Sequence, residues 1–234
     1  MINLVSPLGW TNILLLISAL LSLAMAIFVM TRGLKNKINL YFSLLTLSTF
    51  AWGLSLFFAR TMIDFSQSQF WAYFAYIAAT GIGVSLFYFT LNFPYKIKNL
   101  NSWQHCLVLA PALIFTTIVY IKNWFIIGMS RDIPNTNYVL EYNKPVYIAY
   151  AIYFILIILL ALYFLWIKYR RADGVIKTQL GFLSLAIVIG LVVGTYFDLI
   201  ICYFGNFQHA WLGPVFTLFM NAAVFYLIFF EKKH

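Results

Sequence analysis

The sequence predicts an all-α membrane protein: a seven-transmembrane helix bundle with its amino terminus outside and its carboxyl terminus in the cytoplasm. Three observations predict it. Of the 234 residues, 64% are hydrophobic and 20% aromatic, whereas 9% are charged, and a domain with that surface would not stay dissolved in water. The apolar residues gather into seven runs, each about as long as the roughly 17 to 25 residues that cross a bilayer. The basic residues fall mainly in alternate connections, as short cytoplasmic loops require. Backbone groups in lipid must bond within their own segment, and the alternating pattern of a membrane barrel is absent, so each run reads as a helix.

The runs are 10–30, 40–59, 70–91, 103–121, 145–167, 180–202 and 211–230, and they are expected to form a single domain 1–234 without a soluble output domain. The first lacks a preceding Lys or Arg and carries its basic flank afterwards, at Arg32 to Lys37, so it is expected to be a retained helix and not a cleaved signal. Pro94 follows the third run and is expected to end it. Pro111 interrupts the fourth, where Thr116 or Thr117 is expected to help satisfy the nearby carbonyls. Pro145 and Pro214 stand in the first turns of the fifth and seventh, where a missing N–H matters little. The one long connection, Lys122 to Lys144, contains a turn at Pro134-Asn135 and an alternating stretch from Tyr138 to Tyr142 that fits a short strand. It reads either as a loop resting on the outer surface or as a lid over an outward-facing pocket.

One set of connections carries Arg32, Lys35, Lys37, Lys96, Lys98, Lys168, Arg170, Arg171, Lys177, Lys232 and Lys233, eleven of the fifteen basic residues. The other carries Arg60, Lys122, Arg131 and Lys144 among acids. This bias sets the orientation and places the chain in the cytoplasmic membrane as a multi-pass protein. It also accounts for the net charge of +9 as loops lying against anionic lipid, which excludes nucleic acid as a partner. Cys106 and Cys202 are expected near opposite faces of a hydrocarbon core ~30 Å thick, too far apart for a disulfide.

Asp198 is the one charged residue within the seven runs. A carboxylate at mid-bilayer costs ~2.5 kcal/mol or more, so it is expected to face the bundle interior or a wet cavity near the outer surface. Gly190 and Gly194 precede it by eight and four residues on the same broad face, a spacing that lets another helix approach closely. The seventh helix runs back beside the sixth, so Asp198, Tyr196, Thr217 and the loop residue His209 form a candidate ligand pocket with Asn221 at its floor. The same residues also fit a structural hydrogen-bond cluster between two helices. No cofactor, metal site or catalytic group is predicted. His105, His209 and His234 lie at different depths, and with every Lys assigned to a loop or tail there is no lysine for a retinal Schiff base.

Several segments share a pattern. They are "NKINLYFSLLTLSTFAWGLS" with Asn39 and Trp52, "FYFTLNFP" from Phe87 to Pro94, "RRADGVIKTQLGFLSLAIVIG" from Arg170 to Gly190, and "LGPVFTLFMNAAVFYLIFF" from Leu212 to Phe230. Through them nearly the whole chain resembles the seven-helix amino-terminal sensor region found ahead of bacterial histidine kinases. The resemblance implies a membrane sensor that receives a signal at or within the bilayer and passes it to a cytoplasmic output. Only Glu231 to His234 follow Phe230, so the chain is expected not to be a kinase by itself and to signal through a separate cytoplasmic protein or histidine kinase. The implied partners are therefore the lipid bilayer, that signalling protein, and an amphipathic small molecule, lipid or peptide as ligand. A small-molecule or lipid transporter and a non-catalytic membrane assembly partner are the alternatives.

Overall fold

The computed structural model describes residues 9–62, 64–96, 99–121, 123–132 and 137–230. Seven helices long and apolar enough to cross a membrane are present among them. In order, they are α1 (Trp10–Thr31), α2 (Lys37–Thr61), α3 (Phe65–Asn92), α4 (Ser102–Tyr120), α5 (Lys144–Arg171), α6 (Gly174–Gly194) and α7 (Leu212–Phe229). A π-helical turn, Thr195–Ile201, continues α6. Between α4 and α5 lies an antiparallel hairpin of β1 (Ile126–Asp132) and β2 (Asn137–Tyr142), with Met129 opposite Leu140 and a bulge between Ile126 and Gly128.

Local chemistry sets the helix ends. The Asn36 side chain accepts from the Ile38 N–H at 2.9 Å, and Asp64 accepts from the Ser66 N–H at 3.1 Å, so both satisfy amides that the first turn leaves open. Pro94 stands two residues beyond the end of α3. Gly174, with φ +57°, lets the chain reverse between α5 and α6 after only Ala172 and Asp173. Thr116 and Thr117 both donate to the Leu113 carbonyl, at 2.9 and 2.8 Å, and so leave alone the Leu107 carbonyl, the one that the ring of Pro111 deprives of its partner.

The contacts form a closed ring in the order α1, α2, α3, α5, α6, α7 and back to α1, with α4 packed outside against α3 and α5. The most deeply enclosed spans are α2 and α3, and they carry the buried hydroxyls Thr46, Thr49, Thr80 and Thr90. Each of these four hydroxyls bonds a carbonyl of its own helix, as Thr49 does to Leu45 at 3.0 Å, and so is satisfied locally, whereas the Ser43 hydroxyl of α2 is buried without a partner. Small residues set the closest approaches. A Cβ on Gly53 would lie 3.3 Å from the Ala19 Cβ, and one on Gly83 would lie 3.0 Å from Ile157.

Two spans run further than their hydropathy predicts. Helix α5 continues past Ile167 to Arg171, and α6 begins at Gly174, so Lys168 and Lys177 lie in helices and not in a loop. Lys168 corrects the expectation that every lysine lies in a loop or tail: its side chain is fully buried at the end of α5. Its Nζ donates to the carbonyls of Thr90 at 2.6 Å, Leu91 at 3.1 Å and Phe93 at 2.6 Å. Those are carbonyls that the end of α3 exposes, so the ammonium closes that end. Arg60 likewise lies in the last turn of α2, where its Nε donates to Asn12 Oδ1 of α1 at 3.0 Å.

The hairpin is tied down. Phe125, Ile126, Tyr138, Leu140 and Tyr142 are all buried. The rings of Tyr76 and Phe125 meet at 4.9 Å, those of Phe125 and Tyr150 at 5.4 Å, and those of Tyr142 and Tyr147 at 4.2 Å. The Tyr76 and Tyr142 hydroxyls are hydrogen-bonded. This aromatic block seats the hairpin on α3 and α5. Burial pushes the Tyr138 and Tyr142 phenols above their ordinary range, for Tyr138 with help from Cys202 and Asp198 and against the pull of Arg60. The turn predicted at Pro134-Asn135 lies outside the described residues.

Candidate functional site

Beneath the hairpin the helices leave a cavity of about 50 Å³. Its walls come from Trp52 and Leu56 of α2, Tyr76 and Ile82 of α3, Tyr150 and Phe154 of α5, Asp198 of the π-helical turn and Thr217 of α7. Tyr138 of β2 lines it as well, together with Phe207 and Ala210 from the α6–α7 connection. The Tyr138 and Phe207 rings stand 5.4 Å apart. Such a volume has room for a few waters or a small organic group, since one water needs ~10 to 15 Å³ of this measure.

The π-helical turn is what brings Asp198 here. One extra residue per turn shifts the side chains that follow and frees carbonyls from the regular ladder. Tyr147, almost wholly buried on α5, compensates: its hydroxyl donates to the Leu199 carbonyl at 3.0 Å and reaches the Asp198 carbonyl at 3.4 Å. The Cys202 thiol donates to the Phe197 carbonyl at 3.2 Å. Thr195, Asp198, Leu199 and Cys202 thereby share the cavity face. The carboxylate itself has an unusual setting. Its Oδ2 is shielded from solvent and has no hydrogen-bond partner, and no basic side chain among the described residues forms an ion pair with it.

Gly213 makes that setting possible. A Cβ built there would fall on Asp198 Oδ2 and would also press on the Trp52 ring. Only a residue without a side chain leaves room for carboxylate and indole together.

The structure gathers four of the residues singled out in the sequence: Asp198, Thr217, Gly190 and Gly194 all line the cavity. Their roles differ. Gly190 is a close contact, since a Cβ there would lie 3.1 Å from the Met220 Cβ and 3.4 Å from the Phe216 carbonyl of α7. Gly194 has open space where its side chain would be, so it enlarges the cavity. Three residues lie elsewhere. Tyr196 is exposed on the outside of the bundle. His209 rests its ring against Phe197 at 5.8 Å. Asn221 is fully buried and donates to Thr49 Oγ1 of α2 at 3.0 Å, a bond that ties α7 across the bundle to α2. The reading of the sequence missed Gly213, Tyr147 and the π-helical turn, and it noted Trp52 only within a resembling segment. A Gly-Pro pair facing the one intramembrane carboxylate was the available signal for Gly213.

Fold and site together define a class: a multi-pass membrane protein built as a seven-helix bundle, with one acid, Asp198, within its helices among the described residues, beneath the hairpin. More particularly, the family described as the N-terminal 7TM region of histidine kinase matches residues 14–232, and the chain belongs to that family. It is thus a sensor-type membrane module. No curated protein matches the chain. The segments "FYFTLNFP" and "LGPVFTLFMNAAVFYLIFF" now have physical roles, since the first supplies the carbonyls that hold Lys168 and the second supplies Gly213 and Thr217 to the cavity.

Proposed function

We propose that the chain is the receptor half of a signalling pair in the cytoplasmic membrane. Its amino terminus and hairpin face outward, by the distribution of its basic residues. A ligand enters the cavity under the hairpin, and the signal leaves at the opposite end of the bundle to a cytoplasmic partner, a histidine kinase or another signalling protein. The single observation that carries this reading is the buried, unpartnered Oδ2 of Asp198 at the wall of a lined cavity. A purely structural acid would be expected to have its partner within the protein.

Transmission follows from what the cavity touches. Its walls belong to α2, α3, α5, α6 and α7, and α6 meets α7 at the tight Gly190–Met220 contact. A ligand that prefers one packing of that pair over another shifts the population between them, and only by the difference in its affinity for the two. The shift reaches the far end through α7 and its Asn221–Thr49 bond.

The test is a crosslinking pull-down from native membranes with a tag after His234, read by mass spectrometry. Recovery of a histidine kinase or other cytoplasmic signalling protein is the expected result. A preparation that recovers known membrane complexes but no signalling protein would overturn the reading and make substrate flux in proteoliposomes the next measurement.

A further inference from the structure

The character of the ligand can be read from what the cavity offers and what it lacks. Its walls are mostly aliphatic and aromatic, with Trp52, Tyr76, Tyr150 and Phe154 among them. Most of its other polar groups are engaged. Thr217 Oγ1 donates to the Gly213 carbonyl at 2.9 Å, the Tyr150 hydroxyl donates to the Tyr76 carbonyl at 3.2 Å, and the Tyr76 hydroxyl bonds Tyr142. The bare group is Asp198 Oδ2. No Lys, Arg or His lines the space. Arg60, on the same side of α2 as Leu56 and one turn further on, directs its Nε to Asn12 and does not line the cavity.

The chemistry that completes this site is a positive charge carried on an apolar body. A metal ion is a poor fit, because a hard cation needs about six oxygens and no group of three acidic, His or Cys residues among the described residues is placed to hold one. A neutral apolar molecule would leave the carboxylate bare. An alkylammonium satisfies both demands: its N–H groups bond the carboxylate and its carbons replace water against the rings, which attract a cation over their faces.

Resting on the receptor reading above, we propose that this cavity binds a small organic ammonium cation, with Asp198 Oδ2 as its counter-ion and Trp52, Tyr76 and Tyr150 as the aromatic wall. The cavity of about 50 Å³ limits the enclosed head group to a few heavy atoms.

Equilibrium dialysis of the purified chain in lipid nanodiscs with radiolabelled ethylammonium tests this. Sodium chloride at matched ionic strength and ethanol at the same concentration serve as competitors. Saturable binding that neither competitor displaces is the expected result, and it should weaken about tenfold or more in Asp198→Asn, the loss of one charge-assisted bond. No saturable binding, displacement by sodium or by ethanol, or undiminished binding in a folded Asp198→Asn protein would each overturn it. Should that variant not fold, the competition on the unmodified chain decides the matter alone. The assay needs no signalling partner, so recovery of a kinase without ethylammonium binding sinks the ligand class and leaves the receptor reading, and the converse pair of results does the reverse.

Discussion

Lys168 and Asp198 both lie within helices of the bundle, near opposite ends of it, and their surroundings contrast. The Lys168 ammonium gives hydrogen bonds to three carbonyls at 2.6, 3.1 and 2.6 Å, all at the end of α3, so α3 and α5 are joined by a charge that has nothing left to offer. Asp198 presents an oxygen with no partner to a cavity with room for one. Removing a charge from water is tolerated where the protein satisfies it, and the first site is built that way. The second is not, since its Oδ2 has no partner within the protein. On the proposed reading the contrast separates a charge that holds the fold together from one poised for a ligand, and substitution should expose it.

The largest effect is expected at the satisfied end. Lys168→Met keeps most of the side-chain volume but leaves three buried carbonyls without their donor. A loss of about 3 kcal/mol follows from carbonyls left bare inside the protein, measured as a lower unfolding midpoint in detergent. Stability within about 0.5 kcal/mol of the parent would erase the contrast.

Gly213→Ala comes next and sharpens the other side. Its methyl group would occupy the place of Asp198 Oδ2 and press on Trp52, an overpacking of roughly 1–3 kcal/mol. The expected outcome is a lower unfolding midpoint together with a carboxylate pushed out of the cavity, read as weaker ethylammonium binding. The double variant Gly213→Ala with Asp198→Ala should recover part of the stability, since the clash loses one partner. Tyr147→Phe is smaller, about 1 kcal/mol for one hydroxyl that serves the Leu199 carbonyl at 3.0 Å.

The same contrast explains what could be read from the chain before its fold was seen. Long uncharged runs declare themselves by hydropathy alone, so all seven spans were legible, and Asp198 stood out as their one charge. Lys168 did not stand out, because a basic residue one position past an apolar run looks like the loop it would ordinarily begin. Only the carbonyls from Thr90 to Phe93, brought from another helix, make its burial affordable. The π-helical turn was hidden for a different reason. Its stabilising bonds come from Tyr147, some fifty residues away, and no periodicity within "TYFDLII" reports them. Asn221 and Thr217 share a helix face and were read as one pocket, yet Asn221 is drawn to Thr49 while Thr217 meets the cavity. Sequence places residues along a helix more readily than it assigns them to a neighbour.

The smallest expected effect on stability is the most telling. Asp198→Asn exchanges an acid for an amide of nearly the same shape, and Oδ2 has no bond in the protein to lose. A group that brings no partner into the fold but must leave water to enter it gains from neutralisation. The unfolding midpoint should therefore stay level or rise, by no more than about 1 kcal/mol, while any response to an ammonium ligand falls away. Loss of stability approaching that of Lys168→Met would mean that Asp198 braces the bundle through an interaction that its neutral isostere cannot replace, and the distinction between the two charges would collapse. Level stability with unchanged binding and signalling would remove the carboxylate from the site and leave the aromatic walls to account for recognition. Separation of the two readouts, folding intact and response lost, is what a charge held ready for a ligand requires.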